Sequence, residues 1–221
     1  MDITLRMKNF LEDLSHKICL LDFNLESLIR ELFLEGGASF PILPEKPRAT
    51  LVEEAERYVY TRQPEIVGKN KVREQLSSFH QFPEGSRFLK LQEDFTELFN
   101  YKLSLSRMRP FGCAPIQFNE SVLQKYEQGS IGITPHVDGL SCINLIAIFL
   151  LKGAGDVFLC DDRKGSNPRP LDTTLGNVII FRAPGFFGSS RRPFHCLTNI
   201  TEERITFGLR FDRKLEGENR K

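Results

Sequence analysis

The sequence predicts an α+β protein in which a helical amino-terminal region packs on a β-rich carboxyl-terminal half. Three observations carry the prediction. Apolar residues recur at three- and four-residue steps early in the chain, short β-rich runs separated by Gly-, Asn- and Pro-bearing turns follow Pro115, and no low-complexity linker divides the two textures. With 221 residues, 40% of them hydrophobic, the chain can bury one sizeable core, which excludes disorder over most of its length.

The first apolar stripe is Leu11, Leu14, Ile18, Leu21, Leu25, Leu28 and Leu32, predicting one or two amphipathic helices that Gly36-Gly37 ends. Phe40 to Pro47 reads as an extended connector, because its three prolines remove donors and push their predecessors out of helical geometry. Leu51 to Tyr60 is a candidate short helix. Phe88, Leu91, Phe95, Leu98, Phe99 and Leu103 form a stronger stripe ahead of Arg109-Pro110. Strands are predicted over Ser121–Tyr126, Ile143–Leu151, Val157–Cys160, Val178–Phe181, Phe194–Leu197 and Arg204–Phe211, a spacing suited to a sandwich, barrel or jelly roll. The expected organisation is a mainly helical region over 1–110 packed on a β core over 111–215, with a polar tail at 216–221.

Thirty Lys+Arg against twenty-nine Asp+Glu give a formal charge of +1, so a generally basic coat is excluded and any nucleic-acid contact must be a local patch. No apolar run approaches the roughly 20 residues of a membrane-spanning helix, and the amino terminus has no charged-then-apolar signal pattern. A soluble intracellular protein, cytoplasmic or nuclear, is expected. Five cysteines without a C-x-x-C pair read as free, mostly buried thiols. With no Trp, any aromatic stacking surface must come from Phe, Tyr or His.

Of the four histidines, His16 and His80 sit in contexts that suit structural roles. His136 and Asp138 stand two residues apart, so an extended backbone points both side chains to one side. A surface His and Asp would be the bland alternative, but His195 stands in an apolar predicted strand and can supply a third ligand from across a β-sandwich. On the last strand, Arg204, Thr206 and Arg210 occupy positions i, i+2 and i+6 of one face. Two arginines facing an interior need anions: either two ordinary salt bridges or a dicarboxylate held by charge-assisted hydrogen bonds. Two His and one carboxylate suit a non-haem Fe(II) centre with open positions. Zinc hydrolysis would use the same ligands but leave the paired arginines unexplained.

The order His136-x-Asp138, His195, then Arg204 and Arg210, resembles the Fe(II)/2-oxoglutarate-dependent dioxygenases, and the arginine spacing is similar to their AlkB-like branch. Leu123 to Gly129, with Tyr126 inside it, resembles the strand and turn preceding the His-x-Asp of that family. The likeness covers about Ser121 to Asp212. It implies a double-stranded β-helix (jelly roll) core, Fe(II) held by His136, Asp138 and His195, and consumption of 2-oxoglutarate and O2. Arg204 would pair with the distal carboxylate of 2-oxoglutarate, helped by Tyr126 and Thr206, while Arg210 and Gln124 would hold the end nearer the metal. Gln124 and Thr206 stand where the family often has Asn.

The resemblance implies hydroxylation of a substrate C–H bond, and demethylation with loss of formaldehyde where that carbon is attached to nitrogen. Alkylated nucleic acid is then the leading substrate expectation, with single-stranded nucleic acid as partner. Arg182, Arg191 and Arg192 with Phe186 and Phe187 lie in the loop leading to His195, where they would rim a pocket, and Lys69, Lys71 and Arg73 form another basic run. A solvated loop with its phenylalanines in the core is the alternative for that segment. Leu140 occupies the position where AlkB-like demethylases place a base-reading carboxylate, which favours a second reading, hydroxylation of a small molecule or a protein side chain. A third is a cupin-like metal-binding or interaction module without oxygenase activity, against which the inward-facing arginines argue.

Overall fold

The computed structural model describes residues 17–106 and 115–216. In it, helices α1 (Leu25–Leu34), α2 (Glu45–Ala55) and α3 (Arg87–Leu105) belong to the first half, along with short strands β1 (Gly37–Pro41), β2 (Thr61–Arg62), β3 (Ile66–Val67), β4 (Val72–Arg73) and β5 (Ser77–Phe79). The second half supplies β6 (Glu120–Tyr126), β7 (Ile133–His136), β8 (Cys142–Lys152), β9 (Asp156–Cys160), β10 (Arg169–Pro170), β11 (Asn177–Arg182), β12 (Phe194–Thr198) and β13 (Arg204–Asp212). They form a seven-stranded sheet, β1-β11-β8-β13-β6-β5-β2, a four-stranded sheet, β10-β9-β12-β7, and the hairpin β3-β4. The sheet pairs are antiparallel. No described helix is long and apolar enough to cross a membrane.

Period-two alternation on the large sheet builds three layers. Ile205, Phe207 and Leu209 of β13, with Phe149 of β8, bury themselves against Leu28 and Leu32 of α1 and Phe88 and Phe95 of α3. Tyr126, Ile146, Ile179 and Phe181 point the other way and meet Val157, Leu159 and Leu197 of the small sheet. The helices thus seal one face of the large sheet, and the space between the sheets is left for a site. Asn24 caps α1 by accepting from Ser27 N at 2.9 Å, and Ser86 caps α3 by accepting from Phe88 N at 3.1 Å.

The six predicted carboxyl-terminal strands match β6, β8, β9, β11, β12 and β13 to within a residue or so. The first half departs more. Leu11 and Leu14 lie outside the described residues, and the rest of the first stripe becomes helical only from Leu25; Leu21 N instead donates to Ile42 O at 2.8 Å in an extended segment. The expected connector ends early, because Pro47 falls in the first turn of α2, where its missing N–H has no helical partner to lose. Strands β1, β2 and β5, from before residue 110, extend the large sheet at both edges. Among the described residues Cys19, Cys142, Cys160 and Cys196 are free thiols and the last three are buried, while Cys113 lies outside the described residues.

Gly153, at φ +77°, turns the chain between β8 and β9, and a Cβ there would sit 2.0 Å from Glu203 O. Gly129 has a similar φ of +78° with nothing within 4 Å. Gly153→Ala is therefore expected to cost more than Gly129→Ala, by about 2 kcal/mol, or roughly 5 °C in thermal unfolding. Equal melting temperatures for the two variants would contradict this packing.

Candidate active site

Adjacent strands of the small sheet set the two imidazoles side by side, their planes inclined at 54°. His136 ends β7 directly opposite His195 of β12, and their ring centroids are 4.3 Å apart. Asp138 follows two residues after His136, and the ligand atoms of the three side chains all lie within 4.8 Å of one another. His136 Nδ1 is 3.0 Å from Thr134 O and His195 Nδ1 is 3.2 Å from Pro193 O. Each carbonyl can accept only an N–H, which fixes the proton on Nδ1 and leaves both Nε2 lone pairs free to converge with Asp138.

Burial, reinforced by the neighbouring His136, pushes the His195 pKa down to about 4 despite the opposing pull of Asp138. The 3.5 Å approach of His195 Nε2 to Asp138 Oδ2 is thus two electron-pair donors side by side rather than an ion pair at neutral pH. Phe181, from the opposite sheet, stacks on the His195 ring at 4.1 Å and 19°. Arg192 donates to the Asp138 carbonyl and ties the loop before β12 to the ligand segment. Two imidazoles and one carboxylate held this way fit Fe(II) with open coordination positions.

On the large sheet, Arg204 lies opposite Tyr126 and Thr206 opposite Gln124. All four line the same cavity as the triad, with Ile146, Val157, Ile179 and Leu197 among its apolar walls. Arg204 is only 2% exposed, and among the described residues its guanidinium makes a single hydrogen bond, Nη1 to Gly155 O at 3.2 Å. Its Nε and the Thr206 hydroxyl are buried without a partner among the described residues. A buried guanidinium without a counter-anion costs several kcal/mol, and burial accordingly pushes its pKa down. A carboxylate entering the cavity would satisfy both orphaned groups at once, so the residues present fit 2-oxoglutarate as well as the metal.

Arg210 lines the cavity too, but its anion is already supplied. Glu120, its partner across the β6–β13 ladder, accepts from Nε at 2.5 Å and Nη2 at 2.6 Å. Arg210, expected to hold the cosubstrate, is engaged here in this bidentate salt bridge. Sequence reading missed Glu120, although counting back in twos from Tyr126 and Gln124 along β6 reaches it on the same face.

The expected rim also divides. Arg182 donates to Leu32 O at 3.1 Å and Phe33 O at 2.9 Å, closing the carboxyl end of α1. Phe186 is 1% exposed and packs with Phe33 and Phe187. Arg182 is therefore engaged, half-buried, at the end of α1, Phe186 lies in the core, and Phe187 packs against it. Arg191 and Leu140 stay exposed.

No family model matches the chain, and no curated protein does either. Solved structures do. A prolyl-4-hydroxylase from Pseudomonas putida is 16% identical with a TM-score of 0.59, over 86% of this chain and 99% of that one. A prolyl hydroxylase from Trichoplax adhaerens, in complex with a peptide fragment of the hypoxia inducible factor oxygen degradation domain, is 12% identical with a TM-score of 0.62, over 100% and 98%. A 2OG-Fe(II) oxygenase family oxidoreductase from Burkholderia pseudomallei is 14% identical with a TM-score of 0.56, over 87% and 92%. The chain therefore shares the fold of these structures, antiparallel sheets in a double-stranded β-helix with helices at the amino-terminal end, and it carries a His-x-Asp…His arrangement within that fold. The finer likeness to the AlkB-like branch finds no counterpart among these three structures.

Two outcomes test the geometry. His136→Ala/Asp138→Ala should eliminate the single Mn(II) or Co(II) site that calorimetry finds in the wild type; a stoichiometry still near one would refute the triad. Glu120→Gln should destabilise the fold by roughly 1–2 kcal/mol, a value moderated because Arg210 keeps about a third of its side chain in solvent. An unchanged denaturation midpoint would contradict the pairing.

Proposed function

We propose that the protein is an Fe(II)/2-oxoglutarate-dependent oxygenase that hydroxylates a side chain of a peptide or protein. The observation that carries the oxygenase reading is Arg204: a buried, incompletely bonded cation in the same cavity as two histidines and an aspartate that can hold a metal. His136, Asp138 and His195 would hold Fe(II), and Arg204 with Thr206 would hold the distal carboxylate of 2-oxoglutarate, with Tyr126 and Gln124 beside them. Bound there, the metal and cosubstrate would couple decarboxylation of 2-oxoglutarate by O2 to hydroxylation of a substrate C–H bond.

The chain's own residues prepare the site. Carbonyls of Thr134 and Pro193 hold the histidine protons at Nδ1, and Phe181 restrains the His195 ring. Apolar walls exclude water, which strengthens the hold of Arg204 on an anion. A non-catalytic metal module would have no use for such a cation.

Two of the structural neighbours are prolyl hydroxylases, one of them bound to a peptide, which supports a polypeptide substrate. Nucleobase demethylation gains no such support. Leu140 offers no acceptor to an exocyclic amine, and the phenylalanines of the 182–192 loop pack inward instead of offering a stacking face. Small-molecule hydroxylation uses the same machinery and is the competing reading.

The cosubstrate assignment predicts that Arg204→Met raises the apparent 2-oxoglutarate constant by about ten- to a hundredfold, read as succinate formed in the absence of substrate. Arg204→Lys should recover only part of the loss, since an ammonium lacks the planar fork. Unaltered succinate production by Arg204→Met at low 2-oxoglutarate would refute the assignment.

A further inference from the structure

Three chain segments converge on one end of the small sheet, and each brings cations there. The β3–β4 hairpin lies beside β7: Arg73 N donates to Thr134 Oγ1 at 3.0 Å, and Glu74 bridges Ile133 in antiparallel sense. That register runs the hairpin tip, with Lys69 and Lys71, toward the His136 end of β7. The loop after β9 leaves the sheet beside the start of β12, since Cys160 pairs with Phe194. Arg163 of that loop lies over the Phe194 ring at 5.6 Å. Arg191 arrives on the segment before β12, next to Arg192, which bonds the Asp138 carbonyl.

Lys69, Lys71, Arg73, Arg163 and Arg191 are exposed, and none forms an ion pair among the described residues. The nearby acids are committed elsewhere. Glu65 pairs with Arg62 and Asp161 with Arg169. Asp162 accepts from Lys164 N, Ser166 N and Ser166 Oγ within its own loop. Glu74 is only half-exposed. A surplus of five cations at one end of a chain with a net charge of +1 is local and not compositional.

We infer that the substrate is an acidic stretch of polypeptide, drawn to the metal-bearing end of the cavity by Lys69, Lys71, Arg73, Arg163 and Arg191. This rests on the oxygenase reading and narrows it. Arg204 marks the deep end, at the start of β13 beside Gly155, so a 2-oxoglutarate anion and an acidic substrate would meet cations at opposite ends of one cavity. Nucleic acid would also answer to these charges, but base recognition wants exposed rings, and Phe186 and Phe187 pack against Phe33 instead.

The test is fluorescence anisotropy with the full chain loaded with Mn(II) and 2-oxoglutarate without oxygen. The probes are a labelled Glu-rich peptide, its Gln and Lys counterparts, and a methylated single-stranded DNA. Three exposed contacts at the modest weight of surface ion pairs should favour the Glu-rich over the Gln peptide by about tenfold at low salt, with the advantage fading at high salt. Lys71→Glu/Arg73→Glu/Arg191→Glu should erase it. If that variant melts early, Lys71→Gln/Arg73→Gln/Arg191→Gln gives the same comparison. Equal binding of the three peptides, or an advantage that survives both variants, would overturn the inference, and so would tighter binding of the DNA than of the Glu-rich peptide. Aerobic succinate formation by the Fe(II)-loaded wild type separates the two levels. Succinate without an acidic preference sinks only this inference, whereas an acidic preference without succinate supports the surface and sinks the oxygenase reading.

Discussion

Burying Arg204 is the constraint on which the rest of the structure turns. A guanidinium at 2% exposure with one carbonyl partner among the described residues is a standing cost. A Cβ on Gly155 would sit 3.4 Å from Arg204 Cδ and one on Gly153 2.0 Å from Glu203 O, so the absence of both side chains makes room for the Glu203–Arg204 stretch. Period two on β13 does the rest. The residues alternating with Arg204 and Thr206 are Ile205 and Phe207, which anchor the strand against the helices, so the arginine cannot turn outward without exposing the core.

The same two-layer logic explains why the metal ligands sit on the other sheet. β7 and β12 carry little of the main core, and their pairing is broken by a register shift between His195 and Leu197. The small sheet presents its ligands into the same inter-sheet space that Gln124, Arg204 and Thr206 enter from the large sheet, whose other face is covered by α1 and α3. Phe181 bridges the layers by stacking on His195, so the position of a ligand ring is coupled to the packing of the central strands.

Much of this was legible in the sequence, and the reasons are physical. Strands β6, β8, β9, β11, β12 and β13 announce themselves through apolar runs between turn residues, and the cluster of His136, Asp138 and His195 shows through only in combination, since a His-x-Asp pair alone reads equally as a surface turn. The short strands β1, β2 and β5 left no mark, since their pairing answers to the free edges of β11 and β6 and not to any pattern of their own. The Pro47 turn was hidden for the opposite reason: proline is a strong signal whose meaning reverses in the first turn of a helix. Arg210 and Arg182 show the limit of reading charge from a line of letters. Each looked available until the fold brought Glu120 to one and the end of α1 to the other.

The central claim is that the orphaned donors beside the triad are a carboxylate site, and a crystal structure grown without oxygen in Mn(II) and 2-oxoglutarate addresses it most directly. The account predicts the metal on His136, Asp138 and His195, and a carboxylate oxygen of the cosubstrate at roughly 3 Å from Arg204 Nε and from Thr206 Oγ1. A cosubstrate lying elsewhere, with Arg204 still bonded only to Gly155, would contradict it.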